Sequence, residues 1–375
     1  MNVLIVGAGK SPNVGDQLIE KVLGWTLVNN FEEIDAVSYF DLTEGAYSID
    51  FKQPNVEIEN IKENVESKRK SYFLRFIKTL LNVSWSDKSL SHEVEESDVI
   101  LIGGGHLLID NYGSFLLNII KVIRCANKLD KKIVFWSVGV GSKHSLIWRF
   151  LAKKYMSDIP LYARDSVSYQ RALRLGFNAL DSLLDPAFFV NEIKPTANSG
   201  KSDKLGLFIM DPYEMVRHSN NNFKRHDIAT WWLNLLGLLS SKFNDITIYN
   251  NGSLQDMKFI HKYILPNIKS NITVKERALS SDQLIAFVKE PDVILAQRLH
   301  AVIPGIAFNK KIYALEWDDK LTHILQDIQS EERMLSYNMA PRDVFNTLAS
   351  ALAPNVDLSA EKLKYINTLK SVLGN

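Results

Sequence analysis

The chain has 375 residues, long enough for two domains of ordinary size, and its 46% hydrophobic and 23% charged composition is that of a globular protein. Lys and Arg number 44 against 43 Asp and Glu, so no global charge favours nucleic acid, and none is expected as a partner. A single Cys125 excludes an internal disulfide and any cysteine-based metal cluster.

The opening MNVLIVGAG reads as a first β-strand rather than a signal peptide, and no apolar run approaches a membrane span, so a cytoplasmic protein is expected. A helix-period pattern, DQLIEKVLGWTLV, follows. DVILIGGG and KKIVFWSVGVG are continuous apolar runs ending in glycines, with SFLLNIIKVIRCA between them. PLYARDSVSYQRALRLGF predicts strand then helix, with Asp165 or Ser166 as the cap and Gly176 as the stop. DPAFFV closes the first half.

Residues 191–204, NEIKPTANSGKSDK, have linker composition. The alternation then restarts, with KLGLFIMD, DITIYNNG, NITVKE, PDVILAQ and KKIYALEW as strands. Ser280 and Gln283 fit a capping box for the helix SSDQLIAFVKE. Two helices without a strand finish the chain. Strands alternating with helices predict parallel βαβ units. The expected α/β architecture is therefore a first domain over 1–190, a second over 205–335, and helices over 336–375. Two doubly wound domains facing each other would form a cleft, and ligands of such sheets sit beyond the carboxyl ends of the strands. One segment departs from the pattern. Residues 62–88 carry seven Lys and Arg against three Asp and Glu, with Tyr72, Phe73, Phe76 and Trp85 interleaved. Such a segment suits either a membrane surface or a solvated insertion packed by its aromatic face.

Candidate site residues come from the strand ends. The loop Gly7-Ala-Gly9-Lys-Ser-Pro12-Asn13-Val-Gly15-Asp16 is no dinucleotide fingerprint, because Pro12 holds the third glycine position. Nor is it a phosphate loop, because Leu4 stands five residues before Gly9. It remains a loop open to close backbone approach, with Asp16 as a ligand contact or a helix cap. Gly103-Gly104-Gly105-His106 marks a second close approach, in which His106 can equally be an ordinary polar loop residue. Arg164 beside a helix start suits a phosphate or carboxylate, or a plain pairing with Asp165. In LAQRLHAVIPGIAF, Arg298 and His300 interrupt an otherwise apolar segment, where charge is costly without a purpose. If the backbone there stays extended, the two side chains point the same way. Lys320 follows the next strand. Arg298, His300 and Lys320 then form an anion site with a proton donor, unless Arg298 is paired with Asp292 or Asp318 and His300 is merely buried.

In their order, these motifs resemble the polysaccharide pyruvyl transferase family. Asn13-x-Gly15-Asp16, Gly103-Gly104-Gly105, SVGVG, Arg164-Asp165 with Ser168, Asp185-Pro186-Ala187-Phe188, Arg298-x-His300-Ala301 and Lys320 carry the resemblance, over roughly residues 1–325. It implies a GT-B-like pair of Rossmann-like domains, with terminal helices able to cross back to the first. It also implies transfer of the enolpyruvyl group of phosphoenolpyruvate to two hydroxyls of a sugar in a bacterial-type surface polysaccharide, or its lipid-linked precursor, as a ketal. Arg164, His300 and Lys320 would then bind the donor. His300 would be the general acid, because histidine titrates naturally near neutrality, and Arg298 would hold phosphate or orient His300. No cofactor or metal is implied. A lipid-linked acceptor would give residues 62–88 a reason to touch the inner membrane face. The alternatives are a GT-B glycosyltransferase with a nucleotide-sugar donor, for which Glu316 beside Trp317 is the candidate pair, and a non-catalytic assembly protein.

Overall fold

The computed structural model describes residues 1–11, 13–49, 77, 80–81, 87–110, 113–195, 204–213, 224–268, 270–317, 319–350 and 355–374. Most of the basic 62–88 segment and the centre of the expected linker lie outside these residues. Two compact units emerge. The first holds residues 1–11, 16–186 and 359–375, and the second holds 12–15 and 187–358.

In the first unit the strands are β1 (Asn2–Gly7), β2 (Ala36–Asp41), β3 (Gly45–Tyr47), β4 (Val99–Gly103), β5 (Lys132–Val138), β6 (Leu161–Ala163) and β7 (Ala179–Ser182), in the sheet order β3-β2-β1-β4-β5-β6-β7. All neighbours are parallel except β2 and β3. Every residue of β4 is buried, which is why its sequence is an unbroken apolar run rather than an alternating one. Helix Ser114–Lys128 packs Ile119, Ile120, Val122 and Ile123 onto the same core as Ile100, Ile102 and Phe135.

The second unit repeats the plan with β8 (Lys204–Phe208), β9 (Asp245–Tyr249), β10 (Ile272–Val274), β11 (Val293–Ala296), β12 (Lys311–Glu316) and β13 (Met334–Ser336), ordered β10-β9-β8-β11-β12-β13 and wholly parallel. Its own core gathers Leu207, Ile248, Leu295 and the helix residues Trp232, Leu235 and Leu236. Both units are Rossmann-like. In each, the strand order reverses once, between β1 and β4 and between β8 and β11. A doubly wound sheet opens its ligand crevice at such a point.

The caps follow the sequence. Asp165 accepts from Ser168 N–H, Gly176 closes the same helix at φ 81°, and Ser280 accepts from Gln283 N–H. Gln283 reaches back to Leu279 N–H, completing the box one residue upstream of the cap. Residues 191–193 do not behave as linker: they finish a short helix, Val190–Ile193, and Lys194 pairs with Asp282 within the second unit.

Of the terminal helices, Pro341–Ala349 stays with the second unit, packed on Arg225–Leu239, while Ser359–Gly374 returns to the first. There Tyr365 is fully buried, and its hydroxyl accepts from Trp136 Nε1 at 2.6 Å. Tyr365→Phe would leave that indole N–H without its partner. A loss of about 1–3 kcal/mol in denaturant unfolding is expected; an unchanged midpoint would show the bond to be dispensable.

Candidate active site

At the first unit's switch point the loops after β1 and β4 lie side by side. Gly104 takes a left-handed φ of 77°, and a side chain on Gly103 would overlap the Trp136 carbonyl. Gly105 brings its backbone close to Asp16, whose Oδ1 is 3.7 Å from where a Cβ would stand. Asp16 does not cap its helix. Helix Val14–Asn30 begins two residues earlier, and Asn13 Oδ1 accepts from Gly15 N–H at 3.2 Å.

One strand further along, β5 ends in a register shift, with buried Ser137 at φ 48° and its hydroxyl donating to Leu184 O at 2.8 Å. A bulge next to a site re-aims the following residues. Here it presses Gly139 so close to His106 and Arg164 that a Cβ would come within 2.9 Å of Arg164 Nε. Arg164 is only 4% exposed, with Nη2 3.4 Å from His106 Nδ1, Nε 3.6 Å from Asp165 and Nη1 3.7 Å from Asp185. Of the two readings of Arg164, the structure shows the pairing with Asp165, in a buried guanidinium between two carboxylates. Ser168 N–H is already taken by Asp165, and the Ser168 hydroxyl joins Asp165 to Val140 N–H.

Glu20 carries no signal in the sequence. It lies buried under Gly7 and Gly9, accepts a hydrogen bond from Tyr47, and is pushed up to about 8 by desolvation, against the lowering effect of that bond. The nearby charges of Asp41 and Asp16 raise it further. The folded state thus holds the Glu20 proton more tightly than the unfolded chain. This stabilisation is complete below about 4.5 and drains away as pH rises towards about 8. Glu20→Gln is therefore expected to gain on wild type from pH 5 to 8, by an amount on the order of 4 kcal/mol, and to run parallel only above that range. Melting curves across that range check this; a constant offset would contradict it.

The second unit's switch point holds the other candidates. Met210 N–H donates to Gln297 Oε1 at 2.8 Å, tying the loop after β8 to the loop after β11. Arg298 stands next, extended at φ −83°, ψ 128°, as the residue before helix Leu299–Ala307. Its Nε and Nη2 both bond to Asp256, at 2.9 and 2.8 Å. Asp256 is wholly buried and also accepts from Asp211 N–H, while Asp211 pairs with Arg225. Burial pushes the Asp256 carboxyl up, and Arg298 is the largest influence opposing it. So Arg298 is compensated in place by Asp256, a partner the sequence did not suggest; Asp318 lies outside the described residues.

The backbone turns helical at Leu299, so Arg298 and His300 do not share an extended strand. Pro304 lies inside this helix, four residues beyond His300. It offers no N–H to the His300 carbonyl, and its ring crowds that carbonyl. His300 has non-helical angles as a result (φ −83°, ψ 19°). Its ring packs on Gly15, where any Cβ would overlap Nδ1, and the residue is 9% exposed. Lys320, half-buried, is the second residue of helix Asp319–Asp327 after β12. Glu316 accepts from Thr322, and Trp317 Nε1 donates to Gln297 O.

Two Rossmann-like units, each with chemistry-bearing residues at its switch point, define an α/β enzyme-type fold of the GT-B class. It is similar to the UDP-GlcNAc 2-epimerase of Methanocaldococcus jannaschii, at 13% identity and TM-score 0.56 over 98% of this chain and 100% of that one. A UDP co-structure of Staphylococcus aureus MnaA aligns at 12% identity and TM-score 0.56, over 100% and 97% of the two chains. The UDP-GlcNAc-bound epimerase of Neisseria meningitidis gives 12% and 0.53 over the whole of both. At such identities the likeness shows the fold alone. No curated protein matches. The sequence profile described as polysaccharide pyruvyl transferase matches residues 13–319, and the chain belongs to that family.

Proposed function

We propose that the protein transfers the enolpyruvyl group of phosphoenolpyruvate to two hydroxyls of a sugar in a surface polysaccharide or its lipid-linked precursor. The carrying observation is His300, held by Gly15 and the Pro304 kink at the switch point of the second sheet, in a chain of this family.

The reaction protonates the donor's methylene carbon, leaving an oxocarbenium-like centre that one sugar hydroxyl attacks. Phosphate departs and the second hydroxyl closes the ketal. We assign the proton to His300 and the cationic charge for the donor to Lys320. Arg298, anchored by Asp256, fixes the start of the helix that carries His300. Arg164 keeps a donor-binding role by family motif, and its buried setting makes it an organiser of His106 and the Gly139 turn. Asn13, Asp16, Gly103, Gly104, Gly105 and His106 are assigned to the acceptor side. A nucleotide-sugar reading would call on Glu316 and Trp317, and both are engaged in internal hydrogen bonds.

Incubation with phosphoenolpyruvate and a panel of glycans tests the assignment. The expected product is a glycan heavier by pyruvate less water, formed with one phosphate. Consumption of a nucleotide-sugar with phosphoenolpyruvate untouched would refute it.

A further inference from the structure

Helix Leu146–Met156 has two faces of different character. Trp148, Ala152 and Met156 are buried in the first unit's core. On the opposite side Leu146 is 83% and Phe150 67% exposed. At about 100° per residue their neighbours on that outer face are Arg149, Lys153 and Lys154, all exposed. The helix carries no acidic residue, and Lys143 precedes it. Beside it lies an apolar depression of about 580 Å³, lined by Leu117, Ile120, Ile147 and Leu151, with Arg124 among its lining residues.

A lone exposed leucine needs no explanation. Two large apolar side chains flanked by three cations, without an acid on the helix, match one environment in particular. At an anionic bilayer surface, apolar groups enter the acyl boundary while Lys and Arg meet lipid phosphates. We propose that this face docks the first unit on such a surface, with Leu146 and Phe150 as anchors and Arg149, Lys153 and Lys154 as the electrostatic contacts.

The location adds a consequence. The helix follows β5, and Ser145 N–H, at its cap, donates to Asp110 at 2.8 Å. Leu146 and Phe150 thus lie in its first turns, at the carboxyl end of the sheet where Gly103–Gly105, His106 and Arg164 stand. Docking would present these loops to an acceptor carried on a lipid. That last step rests on the pyruvyl-transfer reading; the docking itself does not.

Co-sedimentation of the full chain with phosphatidylcholine vesicles, with and without phosphatidylglycerol, tests the proposal. Binding to the anionic vesicles is expected, at least tenfold above neutral ones and weakened by salt. Leu146→Ser/Phe150→Ser should lower the partition at least tenfold. Arg149→Gln/Lys153→Gln/Lys154→Gln should lower it by about a hundredfold at low salt. All five positions are exposed, and circular dichroism melts verify that the variants fold. Absence of binding by wild type, or binding by either variant equal to that of wild type, overturns the proposal. So does a concentration-dependent dimer that Leu146→Ser/Phe150→Ser abolishes while vesicles are ignored, since the face would then belong to a second copy. No substrate enters the assay. Vesicle binding without phosphoenolpyruvate binding would leave the docking standing and remove the chemistry instead.

Discussion

His300→Ala is expected to lower kcat by about 10²–10⁴-fold, the range for losing a positioned general acid, with a much smaller change in donor KM. The effect is large because, among the described residues at the second unit's switch point, no other imidazole stands in for it. Arg298 is committed to Asp256, and the proposed reaction assigns Lys320 to charge rather than to the proton. A companion variant separates positioning from folding. Pro304→Ala restores an amide to the helix interior and removes the ring's crowding of the His300 carbonyl, so helix stability should rise. The kink that aims His300 should then relax, and kcat should fall. Steady-state kinetics alongside melting curves read both changes. Higher stability with unchanged kcat would show that the kink is incidental.

The second large effect is on stability. Arg298→Ala leaves the wholly buried Asp256 carboxylate with Asp211 N–H as its main remaining partner. Breaking a buried pair from one side costs about 3–5 kcal/mol. Denaturant unfolding of the second unit should show that loss, and Arg298→Lys should recover little of it, because an ammonium cannot reproduce the two-pronged geometry. The double variant Arg298→Ala/Asp256→Ala should be less destabilised than the two single losses added together. A single-variant loss below about 1 kcal/mol, with additive singles, would mean the pair is not what holds this corner.

These residues also mark how far the sequence could be read. Its buried parallel strands are legible as unbroken apolar runs, because both faces of each sheet are covered. Asp165, Gly176 and Ser280 are legible because capping is local chemistry. β2, β3, β7 and β13 escape notice: three of them are only three or four residues long, and β2 begins in exposed, mixed sequence. At the site, the sequence identifies which residues are out of place but not what they meet. Arg298 is conspicuous in its apolar segment, while its partner Asp256 is 42 residues away on another helix. Glu20 looks like an ordinary surface position of an amphipathic helix until Tyr47, 27 residues on, closes over it. Pro304 is the instructive case. A proline inside an apolar helix is visible in the sequence, but what it distorts becomes visible only when His300 is found four residues before it.

The most direct test of the central claim is a thermal-shift titration with phosphoenolpyruvate, and separately with UDP, on wild type, His300→Ala and Lys320→Ala. A ligand that binds only the folded state raises its melting temperature. The predicted result is a rise with phosphoenolpyruvate that Lys320→Ala abolishes and His300→Ala largely keeps, with UDP inert. A rise with UDP alone would contradict a phosphoenolpyruvate donor and turn the same fold towards nucleotide-sugars.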